Sequence, residues 1–173
     1  MISLSVALWV FVVLFGVIGG LRGWAKEILV LFTMLLALFL DIVITQFVPG
    51  VQAALAELTV SSQFYVRAIF FLCIAFFGYE TPAISSALGA KARRERLEDV
   101  LLGIVLGLLN GYLLVGTLWH YLDATGYPLA GITRPIDSSV LALLDYMPPE
   151  LIDIPYIYFA VVLAFVFVLV VFI

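Results

Sequence analysis

The sequence predicts an all-α integral membrane helical bundle of about five transmembrane helices, with short amphipathic interfacial helices on the outer side. Three observations carry this. Of 173 residues, 65% are apolar and only 12% are charged. Mean hydropathy is +1.25. The apolar residues are also gathered into runs of roughly 20, the length that crosses about 30 Å of hydrocarbon at about 1.5 Å per residue. A water-soluble domain of 19.1 kDa has too little interior to hide so much apolar surface, so lipid is the solvent that removes the conflict.

The first run, Ile2 to Leu21, carries no charge. The MISLS start lacks a basic region, and the run ends in GGLRG without a small-residue cleavage pattern, which predicts a retained helix and not a removed signal peptide. The second run, Ile28 to Ile44, contains only Asp41, and the third, Phe64 to Ala83, holds Arg67 and Glu80 near its ends. The fourth, Val100 to Trp119, and the fifth, Ile154 to Ile173, are uncharged. Asp153 before Pro155 marks a helix start for the fifth. These runs divide the chain into a four-helix membrane core over 1–121, an acidic outer segment over 122–153 and a fifth helix over 154–173.

Six of the eight basic residues, Arg22, Lys26, Lys91, Arg93, Arg94 and Arg96, fall in the bends after the first and third runs. Cytoplasmic loops retain positive charge, so the expected topology places those bends and the C-terminus inside and the N-terminus outside. KARRERLED reads as a solvated helical lead-in to the fourth span that meets anionic headgroups. On the outer side, Val51, Leu55 and Leu58 follow a helical period after Pro49-Gly50. Asp137 and Ser138 are placed to cap a helix over Val140 to Leu144, stopped by Met147-Pro148-Pro149. The alternative for both segments is irregular chain that dips toward lipid. Trp24, Trp119, Tyr121, Tyr156 and Tyr158 fall at span ends, where aromatic rings favour the headgroup zone.

Gly103, Gly107 and Gly111 stand four apart in the fourth run, with Gly116 beyond them, and Gly16 with Gly20, and Gly19 with Gly23, repeat the spacing in the first. Membrane helices associate mainly by close packing, and rows of glycine let backbones approach. The spacing predicts contact between these two helices; the competing use of one face is dimerisation with a second copy. GVIGGLRGWAKEILVLF at 16–32 and LEDVLLGIVLGLLNGYLLV at 97–115 resemble the two signature segments of the colicin V production protein family of bacterial inner-membrane proteins. Arg22-Gly23 stands at that family's RG step, and Asp99 at the acidic position before its glycine helix. The resemblance covers roughly the first 120 residues, and it implies a non-enzymatic inner-membrane protein that supports toxin production or export, or envelope function, through helix contacts.

Polar groups inside a membrane are costly and therefore candidates for function. Asp41 and Arg67 lie near the outer ends of their helices, where Arg67 either pairs with Asp41 or snorkels to headgroups. Glu80 falls near the inner surface, within reach of Arg22 or Lys26, with Pro82 ending or kinking the helix beyond it. Asn110, beside Gly111, is placed for an interhelical hydrogen bond worth about 1 kcal/mol, or for a substrate contact. The single cysteine, Cys73, lies in an apolar run and reads as a small hydrophobe.

Other chemistries find no support in the residues. His120 is the sole histidine, with too few companions for a metal site. No nucleophile elbow or Walker motif occurs, and GVIGGLRG ends a membrane helix, so no cofactor is expected. A net charge of -4 argues against nucleic acid. The expected partners are the lipid bilayer and either a second copy or another membrane protein. A transporter or channel component with a path past Asn110, Glu80 and Arg67, and an accessory subunit of a larger membrane complex, are the competing readings.

Overall fold

A computed structural model describes residues 3–80 and 96–172. Pro82, Lys91, Arg93, Arg94 and the ends of the first, third and fifth expected spans at Ile2, Ala83 and Ile173 lie outside the described residues. Those described form helices and connecting segments, with no strand among them. Four helices are long and apolar enough to cross a membrane: α1 (Leu4–Arg22), α2 (Trp24–Phe47), α4 (Val60–Tyr79) and α5 (Arg96–Ala124). Between α2 and α4 lies α3 (Pro49–Glu57). After α5 come α6 (Ser138–Leu141), a 3-10 turn at Leu144–Tyr146, α7 (Pro148–Leu151) and α8 (Tyr156–Phe172).

A single residue separates α1 from α2. Gly23 sits at φ 85°, a conformation that side-chain-bearing residues rarely adopt. Its N–H closes α1 on the Gly19 carbonyl at 2.9 Å. The carboxylate of Asp99, at the start of α5, then accepts from the Trp24 N–H at 3.1 Å and so caps α2 from a different helix. Because of this tight turn, α2 begins at Trp24 and not at Ile28, which takes Glu27 into its first turn. At α4, Thr59 accepts from the Ser62 N–H and starts the helix four residues before Phe64.

The longest seam in the bundle is α1 against α5, running antiparallel. Gly19 is its centre: a methyl added there meets the Gly103 carbonyl oxygen and comes within 2.8 Å of the Gly107 Cα. A methyl at Gly107 meets the Phe15 carbonyl oxygen, and one at Gly111 lies 3.0 Å from the Val12 Cα. Gly16 and Gly20 lie alongside, facing the side chains of Leu108 (2.7 Å) and Ile104 (2.8 Å) instead of backbone. Gly116 belongs to another contact, since Pro148 Cδ lies 2.6 Å from its added methyl position.

Helix α2 occupies the middle, packed on α4, α5 and α8. Its buried residues Val30, Met34, Ala37 and Leu38 meet Ala68, Phe71 and Ala75 of α4 in one apolar core. The buried stripe of α4 is Phe64, Ala68, Phe71, Ala75 and Gly78. Cys73 falls off that stripe and is exposed, contrary to its reading as a packed hydrophobe. Trp119 and Tyr121 are also buried. Because α5 continues to Ala124, Tyr121 falls in its last turn and Trp119 just before it, yet both face the interior instead of the headgroup zone.

The segment after α5 departs most from expectation. Asp137 does cap a short helix, but Pro148 opens α7 instead of stopping a helix, because proline at the first helical position lacks only an N–H that would go unused. The chain folds back along α5: Met147 and Pro148 pack on Gly116, and the Tyr112 hydroxyl donates to the Tyr146 carbonyl. Tyr112 lies twelve residues, about 18 Å, from the Ala124 end of α5. Helix α8 packs on α2 through Tyr158 on Phe39 and Phe167 on Phe32, with ring centroids 5.9 and 5.4 Å apart. With 17 residues, about 25 Å, it is shorter than the four long helices.

The seam predicts an asymmetry between neighbouring glycines. Gly19→Ala pushes a methyl onto backbone that has nowhere to go and is expected to cost about 1–3 kcal/mol. Gly20→Ala meets only side-chain atoms, Ile104 Cγ1 nearest, and is expected to cost less. Denaturant-induced loss of helicity in detergent micelles measures both, and equal stabilities would refute the seam described here.

Candidate functional site

Two ion pairs, each joining a buried carboxylate to a partly exposed arginine, stand at opposite ends of α2, and both are built to the same plan. At the first, Arg22 is the last residue of α1 and Glu27 lies in the first turn of α2. The one-residue turn points both inward, with Arg22 Nη1 2.8 Å from Glu27 Oε1. Glu27 is 0% exposed. Its second oxygen accepts from Asn110 Nδ2 of α5 at 2.8 Å, and the same amide donates to the Glu27 backbone carbonyl at 2.9 Å. The Arg22 guanidinium lies over the Tyr79 ring of α4, 4.4 Å from its centroid, and Nη2 donates to the Tyr79 carbonyl at 3.4 Å. Residues of all four long helices therefore meet around one carboxylate.

At the other end, Arg67 of α4 donates to Asp41 of α2 through both Nε (3.2 Å) and Nη2 (2.6 Å). This two-pronged geometry fits a guanidinium to a carboxylate better than a lysine would. Arg67 lies over the Tyr121 ring of α5 at 4.3 Å. Asp41 and Arg67 are thus paired with one another, while a quarter of the Arg67 side chain stays exposed. Glu27 and Asp41 are fourteen residues apart on α2, about 21 Å along its axis.

Of the polar residues singled out in the sequence, Asp41, Arg67 and Asn110 enter these clusters. Glu80 does not: it is exposed at the end of α4, and of Arg22 and Lys26, the two cations expected within its reach, Arg22 is bound to Glu27. The residue that sequence reading missed is Glu27. It precedes the uncharged run that starts at Ile28, although an arginine and a glutamate five apart across an RG step carry the signal for the pair.

Several buried polar atoms have no hydrogen-bond partner among the described residues: Asn110 Oδ1, Thr117 Oγ1, Tyr79 OH and Tyr121 OH. Beyond the Arg67 pair, His120, Asp123, Arg134, Asp145 and Glu150 line an open depression of about 490 Å³. In it His120 Nδ1 lies 3.6 Å from Glu150, and Arg134 Nε lies 3.3 Å from Asp123. Among the described residues no group of three His, Cys, Asp or Glu side chains stands ready to hold a metal ion. On the exposed turn nearby, the Ser139 hydroxyl (2.8 Å) and N–H (2.9 Å) both donate to Asp137, which lowers its carboxyl below the usual aspartate range.

The class that fold and site define is an all-helical protein with four helices long and apolar enough to cross a membrane, closed by two internal ion pairs. No protein-family model, curated protein or solved structure matches the chain.

Glu27→Ala removes the carboxylate that Arg22 and Asn110 share, leaving them only the carbonyls of Tyr79 and of residue 27, and is expected to destabilise the fold by about 3–5 kcal/mol, whereas Glu80→Ala is expected to stay within about 0.5 kcal/mol. Unfolding in micelles compares the two, and equal effects would remove Glu27 from its central place. Asp137, with its depressed pKa, adds stability above the ordinary carboxylate range that is lost as pH falls through the lowered value. A carboxyl-carbon NMR titration of Asp137 at or above the free aspartate pKa would contradict the cap.

Proposed function

We propose that this chain is a non-enzymatic multi-pass protein of the bacterial inner membrane, of the colicin V production type, supporting toxin production or export, or envelope function, through contacts with a membrane partner. The observation that carries the proposal is where the packing glycines go. Gly19, Gly103, Gly107 and Gly111 all pack within the α1–α5 seam of one chain. What α1, α4 and α8 turn outward is apolar: Trp9, Phe11, Phe76, Phe77, Phe159 and Leu163 are all exposed. Such a surface suits lipid, a second copy or a helix of another membrane protein.

The two family-like segments support the reading in a further way. They fold onto each other, with Arg22-Gly23 forming the turn that Asp99 holds closed. In the proposed topology α8 is a short fifth span, tilting little and thinning the bilayer locally. The Arg22 end then lies in the cytoplasm with the C-terminus, and the N-terminus and the acidic segment lie outside. A transporter component is the second reading, favoured by the unpartnered polar atoms inside the bundle.

Cys73 is a native handle on the outward face of α4. A photocrosslinker attached to it in native membranes is expected to give one discrete protein band. The same probe on Ala68→Cys in a Cys73→Ser background, facing inward, is expected to give none. If Cys73 and further outward positions on α1 and α8 label only lipid, the partner reading fails. An external reporter signal from a tag beside Arg96 would overturn the topology.

A further inference from the structure

Asn110, Thr117 and Tyr121 lie seven and four residues apart, on one stripe of α5. All three are buried to within 1% of complete. Each leaves an atom with no hydrogen-bond partner among the described residues. Thr117 stands out against the other threonines on the helices. Thr33 and Thr45 each donate back to a carbonyl of their own helix, at 2.9 and 2.6 Å, and Thr125, just past the end of α5, donates to the Tyr121 carbonyl at 2.8 Å. Thr117, the most enclosed, does not. Buried polar atoms left open in this way mark ordered water or an ion. A cation is disfavoured here, because each neighbouring carboxylate is already neutralised by an arginine. Water carries no such charge.

The stripe runs from one carboxylate to the other. Asn110 touches Glu27, and Tyr121 underlies the Arg67 that holds Asp41. Helical rise separates Asn110 from Thr117 by about 10 Å and Thr117 from Tyr121 by about 6 Å, distances that water chains bridge and direct bonds do not. On α2, Met34 lies seven residues from both Glu27 and Asp41, fully buried, with an unbranched thioether that moves at little cost. We propose that this seam is a proton relay, in which waters held by Asn110, Thr117 and Tyr121 pass protons between Asp41 and Glu27 when Met34 swings aside. The proposal requires the helices to span the bilayer but does not rest on the partner reading.

The step balances without electron transfer. A proton from one aqueous side converts the Asp41 carboxylate to the acid. Each water then donates one proton onward as it receives one, Glu27 takes up the last and releases it on the other side, and both carboxylates return to the ionised form. While a carboxylate is neutral its arginine keeps its charge, held over the ring of Tyr79 or Tyr121. One positive charge crosses per cycle.

The test uses the full chain reconstituted in phosphatidylethanolamine and phosphatidylglycerol vesicles containing a pH-sensitive dye, with a potassium gradient and valinomycin to supply the potential. The unaltered protein is expected to carry protons well above the rate of protein-free vesicles. Thr117→Val keeps the volume and removes the hydroxyl; it is expected to slow the flux roughly tenfold, less than the loss of a proton-transfer group itself, while Thr117→Ser restores it. Flux at the protein-free rate, or an unchanged rate in a folded Thr117→Val, overturns the relay. Should that variant not fold, water-edited NMR on the unaltered protein decides: magnetisation passing from water to the Thr117 methyl supports the seam, and a dry Thr117 overturns it.

Discussion

A charged carboxylate in a low-dielectric interior must be neutralised and hydrogen-bonded or it expels itself, and Glu27 meets that requirement by drawing on three other helices. Arg22 comes from the end of α1, Asn110 from the middle of α5, and Tyr79 from α4 through the arginine stacked on its ring. Because the arginine and the glutamate belong to the two sides of a one-residue turn, satisfying the charge also sets the angle at which α1 meets α2. The Asp99 cap on Trp24 holds the same turn from α5. Remaining contacts fall within a frame that this polar knot defines.

Close packing and polar recognition divide the work between them. Along α1 and α5 the backbones touch, and attraction there is dispersion between surfaces with no side chains in the way. Such a seam has little directional preference of its own, so the paired charges at either end of α2 supply register. Asp41 and Arg67 repeat the first pair's design, down to the tyrosine ring beneath the guanidinium. Two matching anchors about 21 Å apart on one helix hold α2 against sliding.

The stretch after α5 shows how irregular chain is accommodated beside apolar helices. Its carbonyls need partners, and the Tyr112 hydroxyl meets the one at Tyr146 while Gly116 makes room for Pro148. Composition marks this stretch as acidic, and three of its acids, Asp123, Asp145 and Glu150, line an open depression with His120 and Arg134. Its route down the side of α5 follows from a fit between one glycine and one proline that lie thirty-two residues apart.

Residue chemistry alone determined the helical class, the apolar runs and the glycine rows, because apolar length and four-residue spacing are local properties that the chain displays in order; of the five runs it marked as spans, four are the long helices and the fifth, α8, is shorter. It also brought Asp41, Arg67 and Asn110 to notice, since polar groups stand out in apolar runs. Tertiary structure alone decided their partners. The sequence set Arg22 within reach of Glu80, and the turn at Gly23 gives it to Glu27 instead. Whether Gly19 or Gly20 carries the seam depends on the rotation of α1 about its axis, and the fate of Pro148 depends on what lies beside it. Those choices belong to contacts between segments distant in sequence, and no local pattern encodes them.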